Sequence, residues 1–232
     1  LAREAKVLQL LAPRVSFGLP RVLFSDPETG LQVRGAVPGV QMGLGSNLSE
    51  LAFAKLPQAR RLAEDLGKAL GELHRALNRN EAEDLGLTEV QPYQLPEAEE
   101  IRARLERKPW DPLYVTTLRK LLPLYESMRS CAEIVFTHGD IWGGNLAVNP
   151  ETGELNGLFD FEDAGLADLH LEVLYLHSFD ETFVRQAFAA YGREMGAEVS
   201  LQRSAIFHAI SAFAALADVK GRGHDHLLDH RL

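Results

Sequence analysis

Between Ile134 and Phe161 the chain abandons helical periodicity for three short β-rich runs, IVFT, LAVN and LNGLFDF. They are strung on a glycine-broken loop, HGDIWGGN, and a tight turn, NPETGE. Nearly everything around this segment reads as helix. Leu62, Leu66, Leu70, Leu73 and Leu77 step by three or four and form one apolar face within a helical stretch from Leu56 to Leu77. Further helices are expected at about 1–12, 95–107, 112–129, 169–176, 180–195 and 201–218, with Pro123 kinking the one that contains it. Asn78 to Gln94 is polar and turn-rich and reads as a surface loop. Near the start, RVLF after Pro20 and LQV after the turn cluster SDPETG read as two antiparallel strands, and Pro38-Gly39 breaks the run that follows. The opening helix and two strands are too few for a core of their own. The layout is therefore an α+β one, a mostly helical body carrying a small β-hairpin insert.

Composition bounds the function classes. With 46% hydrophobic and 25% charged residues the chain is ordinarily globular, and its 232 residues suffice for one large domain or two lobes around a cleft. No apolar run reaches the roughly 18 residues of a membrane span, so no membrane association is expected. A net charge of −9 argues against a nucleic-acid surface and is compatible with a cationic small-molecule partner. The single cysteine, Cys131, precedes an apolar strand and reads as packing; it cannot form an internal disulfide, which fits a cytoplasmic protein. His224, His226 and His230 lack an accompanying ligand cluster of firm spacing and read as a polar tail.

The unusual residues concentrate in the β insert. Asp140 and Asn145 lie five residues apart on the glycine-broken loop, and Asp160 follows at the end of the next hairpin. A hairpin of that length returns the chain beside its start, so Asp160 is expected near Asn145. Phosphoryl transfer from ATP needs this chemistry: oxygen ligands that hold Mg²⁺ against the phosphates, and a carboxylate that orients or deprotonates the attacking hydroxyl.

HGDIWGGN resembles the HGDxxxxN catalytic loop of the aminoglycoside phosphotransferase and choline kinase superfamily, small-molecule relatives of protein kinases, and FDFEDAGLAD is similar to the segment that follows it there. EAKVLQLL with LPRVL resembles that family's αC-type helix and next strand, VRGAVPGV its lobe hinge, and LGKALGELHRAL its first helix of the larger lobe. The resemblance spans nearly the whole chain in the expected order. It implies a protein-kinase-like fold, with residues 1–38 the remainder of a truncated smaller lobe and 39–232 a helical larger lobe carrying the catalytic loop. It implies ATP and Mg²⁺ as cofactors and a hydroxylated small molecule as acceptor. Asp140 would be the catalytic carboxylate, with Asn145 and Asp160 the Mg²⁺ ligands. His138 would brace the loop, and Gly139 would permit its turn. Glu4 would be the glutamate that pairs with the ATP-contacting lysine, and the backbone of Gly35, Ala36 and Val37 would meet the adenine. Asp163 and Asp168 would border the acceptor or brace the loop.

Taken without the resemblance, Glu4 is an ordinary exposed helix residue, and Asp163, Asp168, Glu172 and Asp180 read as a solvated acidic face and helix caps. Trp142 reads as packing. That tryptophan also gives the loop a likeness to fructosamine kinases, though Asp160-Phe161-Glu162 stands where those usually carry Asp-Pro-Ala. No glycine-rich loop or strand lysine precedes Glu4, so upstream strands that supply them are expected. Three outcomes are carried forward: an aminoglycoside phosphotransferase-like kinase, a sugar-amine or amino-alcohol kinase, and a kinase-like binding module without activity.

Overall fold

The computed structural model describes residues 2–26, 28–42, 49–87, 95–107, 110–129 and 133–221. Cys131 and the histidines at 224, 226 and 230 lie outside the described residues. In chain order the elements begin with α1 (Ala2–Leu11), the antiparallel pair β1 (Arg21–Asp26) and β2 (Leu31–Gly35), α2 (Glu50–Ala54), α3 (Ala59–Ala76) and α4 (Arg79–Asp84). Then come α5 (Ala98–Arg107), α6 (Pro112–Arg129), β3 (Ile134–Thr137), β4 (Leu146–Val148), β5 (Leu155–Leu158) and β6 (Gly165–Asp168). The chain closes with α7 (Leu169–Glu172), α8 (Glu181–Met195) and α9 (Leu201–Gly221).

Contacts divide the chain into two compact units, one of Leu1–Val90 with Glu133–Leu201, the other of Gln91–Ala132 with Gln202–Leu232. Both sides of the 38/39 boundary read from sequence fall in the first unit. That unit is built on α3. Leu62, Leu66, Leu70 and Leu73 are all buried, each removing apolar surface worth about 1.5–3 kcal/mol from water. They join a cluster that also takes Val7, Leu8 and Leu11 from α1, Phe136 from β3, Leu146, Leu158 and Phe161. The opening helix thus shares the core of the larger body instead of making one. Gly67 lets α3 and α8 meet closely: a Cβ there would lie 2.2 Å from the Ala187 carbonyl oxygen. In the second unit, the Tyr125 hydroxyl donates to the Pro96 carbonyl at 2.8 Å, and its ring meets Phe207 edge-on at 5.8 Å. Among the described residues no helix is long and apolar enough to cross a membrane.

Three local readings are corrected. The expected surface loop after Leu77 contains α4, started by a capping box in which the Asn78 side chain and Glu81 satisfy each other's backbone N–H groups. The run LNGLFDF is strand only through Leu158. The expected helix over 169–176 is the short α7 followed by a 3-10 turn over Leu174–Ser178. A strand not anticipated, β6, comes from GLAD and pairs antiparallel with β3, while β4 pairs with β5. The insert is therefore two nested two-stranded ribbons. The β4–β5 hairpin sits between the partners β3 and β6 in sequence, which holds the loop after β3 and the loop before β6 together.

His74 of α3 is buried and shares a 2.9 Å hydrogen bond with the Tyr191 hydroxyl of α8, while its Nε2 has no hydrogen-bond partner among the described residues. Burial lowers its pKa from 6.5 to about 3. The unfolded chain binds a proton there between those values and the folded chain does not, so stability is full above pH 6.5 and falls as pH drops toward 3. His138, lowered to about 4 by burial, acts in the same sense over a narrower window. Unfolding free energy should lose about 1.4 kcal/mol per pH unit from His74 alone below pH 6. The difference between parent and His74→Phe in denaturant titrations from pH 7 to 5 would read this, because the total slope also carries Glu172, whose raised pKa acts in the opposite sense; an unchanged slope in the variant would refute the assignment.

Candidate active site

The site is assembled where the loop after β3 meets the loop after β5. Its foundation is Glu172, at the end of α7, which is only 2% exposed. One of its oxygens accepts the His138 N–H at 2.7 Å and the other the Gly139 N–H at 2.9 Å. Burial pushes the Glu172 carboxyl up to about 7, and the two backbone donors oppose that rise. This corrects the reading of Glu172 as part of a solvated face. Asp168 and Asp180 do cap helices, α7 and α8, by accepting from His170 N–H and Phe183 N–H. Asp168 is also buried, with Oδ1 held 2.9 Å from His170 Nδ1. Because His170 Nε2 accepts the Ser200 N–H, it is Nδ1 that carries the proton toward Asp168.

His138 stitches the two loops. Its Nδ1 accepts the Asp140 N–H at 3.3 Å, so Nε2 bears the proton and donates to the Phe159 carbonyl at 3.0 Å. Both bonds are those of a neutral ring, in keeping with its lowered pKa. Gly139 turns with φ +90°, and a Cβ there would sit 2.3 Å from the Asp163 carbonyl oxygen, so only glycine fits.

Asp140 and Asn145 are in direct contact. The Asn145 side-chain amide donates to both the carbonyl and the Oδ2 of Asp140, each at 2.9 Å. Burial raises the Asp140 pKa, opposed by the Asn145 and Trp142 donors and aided by the negative charges of Asp163 and Asp160. The Trp142 side chain is close enough to Asp140 to lower the pKa of that carboxyl. Asn145 also accepts the Phe159 N–H on its backbone carbonyl at 3.2 Å, which sets Asp160 one residue beyond that contact.

Asp160 is exposed and is the one non-glycine at positive φ (+70°) among the described residues. Its backbone is held on both flanks, by His138 on the Phe159 carbonyl and by Glu4 Oε1 on the Phe161 N–H at 3.2 Å. Glu4 is buried at 4% exposure, which corrects the reading of it as an ordinary exposed residue. Among the described residues its cationic partner is Arg34 of β2, whose Nη1 lies 2.6 Å from Oε1 and whose Nη2 bonds Oε2.

The hinge-like segment follows Arg34 directly. Ala36 is exposed, and Gly35 and Val37 are half-buried. Beyond it Val40 exchanges two backbone bonds with Val148 of β4, and Met42 N–H donates to the Gly143 carbonyl at 3.1 Å. The segment is therefore tied to the same loop and hairpin as Asp140 and Asn145. Asp163 is exposed beside Gly139.

The donor set fits a hard divalent cation. Asn145 spends its amide N–H groups on Asp140, which leaves Oδ1 as a donor, and the Asp160 carboxylate accepts no hydrogen bond from the described residues. Two oxygen ligands of this kind suit Mg²⁺, which takes its remaining positions from phosphate and water. Among the described residues no cluster of three or more His, Cys, Asp or Glu side chains could hold a metal by itself.

Known structures share this architecture. An aminoglycoside 2'-phosphotransferase of type IIIa, solved with GDP, superposes with a TM-score of 0.74 at 21% identity over 96% of this chain and 75% of that one. A macrolide 2'-phosphotransferase from Brachybacterium faecium gives 0.66 at 19% identity, over 95% and 74%. An aminoglycoside 3'-phosphotransferase of type VIII gives 0.57 at 25% identity, over 91% and 79%. The fold is that of the kinase-like small-molecule phosphotransferases. The sequence model of the phosphotransferase enzyme family matches residues 1–202. With more than four-fifths of its length inside that match, the chain belongs to the phosphotransferase enzyme family.

Proposed function

We propose that this protein transfers the γ-phosphoryl group of ATP to a hydroxyl of a small molecule, with Asp140 as the catalytic carboxylate and Asn145 and Asp160 as the Mg²⁺ ligands. The observation that carries the reading is the Asn145 amide on Asp140 Oδ2, with Asp160 presented on a backbone clamped at both flanks. Bound Mg²⁺ would neutralise charge on the phosphate oxygens. The chain's own residues do the rest. Asp140 accepts the proton of the attacking hydroxyl, His138 and Glu172 fix the loop that carries it, and the backbone of Gly35 to Val37 receives the adenine. Exposed Asp163 lies on the acceptor side and favours a cationic acceptor, while Asp168 braces α7. In this reading residues 1–38 belong to the smaller lobe and 39–232 to the larger one, and a cytoplasmic location follows from the single cysteine.

The similar structures include a macrolide phosphotransferase and an aminoglycoside phosphotransferase solved with GDP and kanamycin, so donor and acceptor are both to be screened. The protein expressed from its complete reading frame, with Mg²⁺ and either ATP or GTP, should release ADP or GDP when offered one of a panel of aminoglycosides, macrolides, amino sugars and amino alcohols. Stimulation by an amino sugar alone would move the assignment toward the fructosamine kinase-like alternative.

A second reading has one observation in its favour. Both oxygens of Glu4 are taken by Arg34, so the glutamate has no oxygen unengaged by that arginine. This is what a kinase-like binding module would tolerate. Absence of nucleotide binding by calorimetry, with Mg²⁺ present, would establish that module and overturn the enzyme.

A further inference from the structure

Each of the three guanidinium nitrogens of Arg34 donates within the fold. Nη1 and Nη2 form a two-point pair with Glu4, and Nε donates to Gln32 Oε1 on the same strand. What the pairing does is fix Glu4. An unpaired carboxylate at 4% exposure would be costly, and a single-point partner would leave it free to rotate. A planar fork pins both oxygens at once. The oxygen so pinned, Oε1, is the one that accepts the Phe161 N–H, immediately after the strained Asp160. The residue before Asp160 is held independently by His138. Releasing Glu4 therefore frees one flank of a backbone that has no steric reason to keep a positive φ.

We infer that Arg34 is a positioning residue for Asp160: through Glu4 it holds the metal-ligand loop in its cation-binding conformation. The inference rests on the phosphotransferase reading of Asp160. Groups that orient a metal ligand from behind commonly change metal affinity by about 10- to 100-fold when removed.

The test is Mn²⁺ binding in the presence of ADP, by the paramagnetic resonance of free Mn²⁺, alongside ADP binding without metal. Arg34→Gln should weaken Mn²⁺ binding about tenfold and leave metal-free ADP binding unchanged. Arg34→Lys, which keeps the charge but not the fork, should fall between parent and Arg34→Gln. If Arg34→Gln does not fold, because Glu4 is left as an uncompensated buried charge, the double variant Glu4→Gln/Arg34→Gln removes that charge. The double variant is held to the Mn²⁺ criterion alone, because Glu4 itself is read as part of the nucleotide site. A folded variant whose Mn²⁺ affinity stays within about twofold of the parent overturns the inference, as does equal weakening of metal-free ADP binding in Arg34→Gln. If the parent itself binds no Mn²⁺ with ADP, the phosphotransferase reading fails, and the role of Arg34 with it.

Discussion

Asp140→Asn should lower turnover by about 10²- to 10⁴-fold, with the KM values for nucleotide and acceptor changing only a few-fold. The substitution is close to isosteric, and its carbonyl oxygen can still accept the Asn145 amide now bonded to Oδ2. The loop should therefore hold its shape while the group loses the ability to take a proton. The barrier rises by about 3–5 kcal/mol, the range that general-base catalysis commonly contributes. The surroundings of Asp140 favour that role. Partial burial and the nearby Asp160 and Asp163 charges raise its proton affinity, while the Asn145 amide keeps Oδ2 aimed. Asp140→Ala should be worse in a second respect, because it removes one of the two bonds that orient the Asn145 amide, leaving only the one to the residue 140 carbonyl, and so loosens a metal ligand. Steady-state kinetics on both variants read the difference. An Asp140→Asn enzyme with more than about a tenth of parental turnover would sink the base assignment.

The sequence made parts of this site legible because two of its constraints are local. Asp140 and Asn145 share one loop, so a five-residue spacing is enough to foresee a contact. Asp160 follows one hairpin later, so the turn length places it. Constraints that act across the fold left weaker traces. Glu172 looks like any charged helix residue until the loop 34 residues before it folds back and presents two N–H groups. Glu4 and Arg34 pair across 30 residues through the β1–β2 ribbon, and neither spacing nor periodicity announces the match. The strand GLAD lacks the β-branched and aromatic residues that mark IVFT, and its identity as a strand comes from pairing with β3, not from its own propensity. By contrast α4 could have been found. Asn78 followed three residues later by Glu81 is a capping-box pattern, outweighed in the reading by the polarity of the stretch. The helices of the main body were readable because leucine periodicity records burial directly.

Glu172→Leu should be the most destabilising single change at the site, by about 2–5 kcal/mol. Leucine is accommodated in volume, but it accepts no hydrogen bond. The His138 and Gly139 N–H groups, buried or nearly so, would each lose the partner they meet at 2.7 and 2.9 Å. Each orphaned donor costs about 1–3 kcal/mol. The loop cannot easily turn those groups to water, because Gly139 is packed on the Asp163 carbonyl and His138 is tied to Phe159. Glu172→Gln should recover little: its carboxamide oxygen can accept one N–H, while its NH₂ would face the other donor. Glu172→Asp, a carboxylate on a shorter stem, should recover part of the loss. In a chain of this size the leucine variant should melt roughly 5–15 °C below the parent. Its residual activity at low temperature should also fall, since the same loop carries Asp140. A melting temperature within about 1 °C of the parent would show that water reaches the two N–H groups and that Glu172 is not the foundation of the loop.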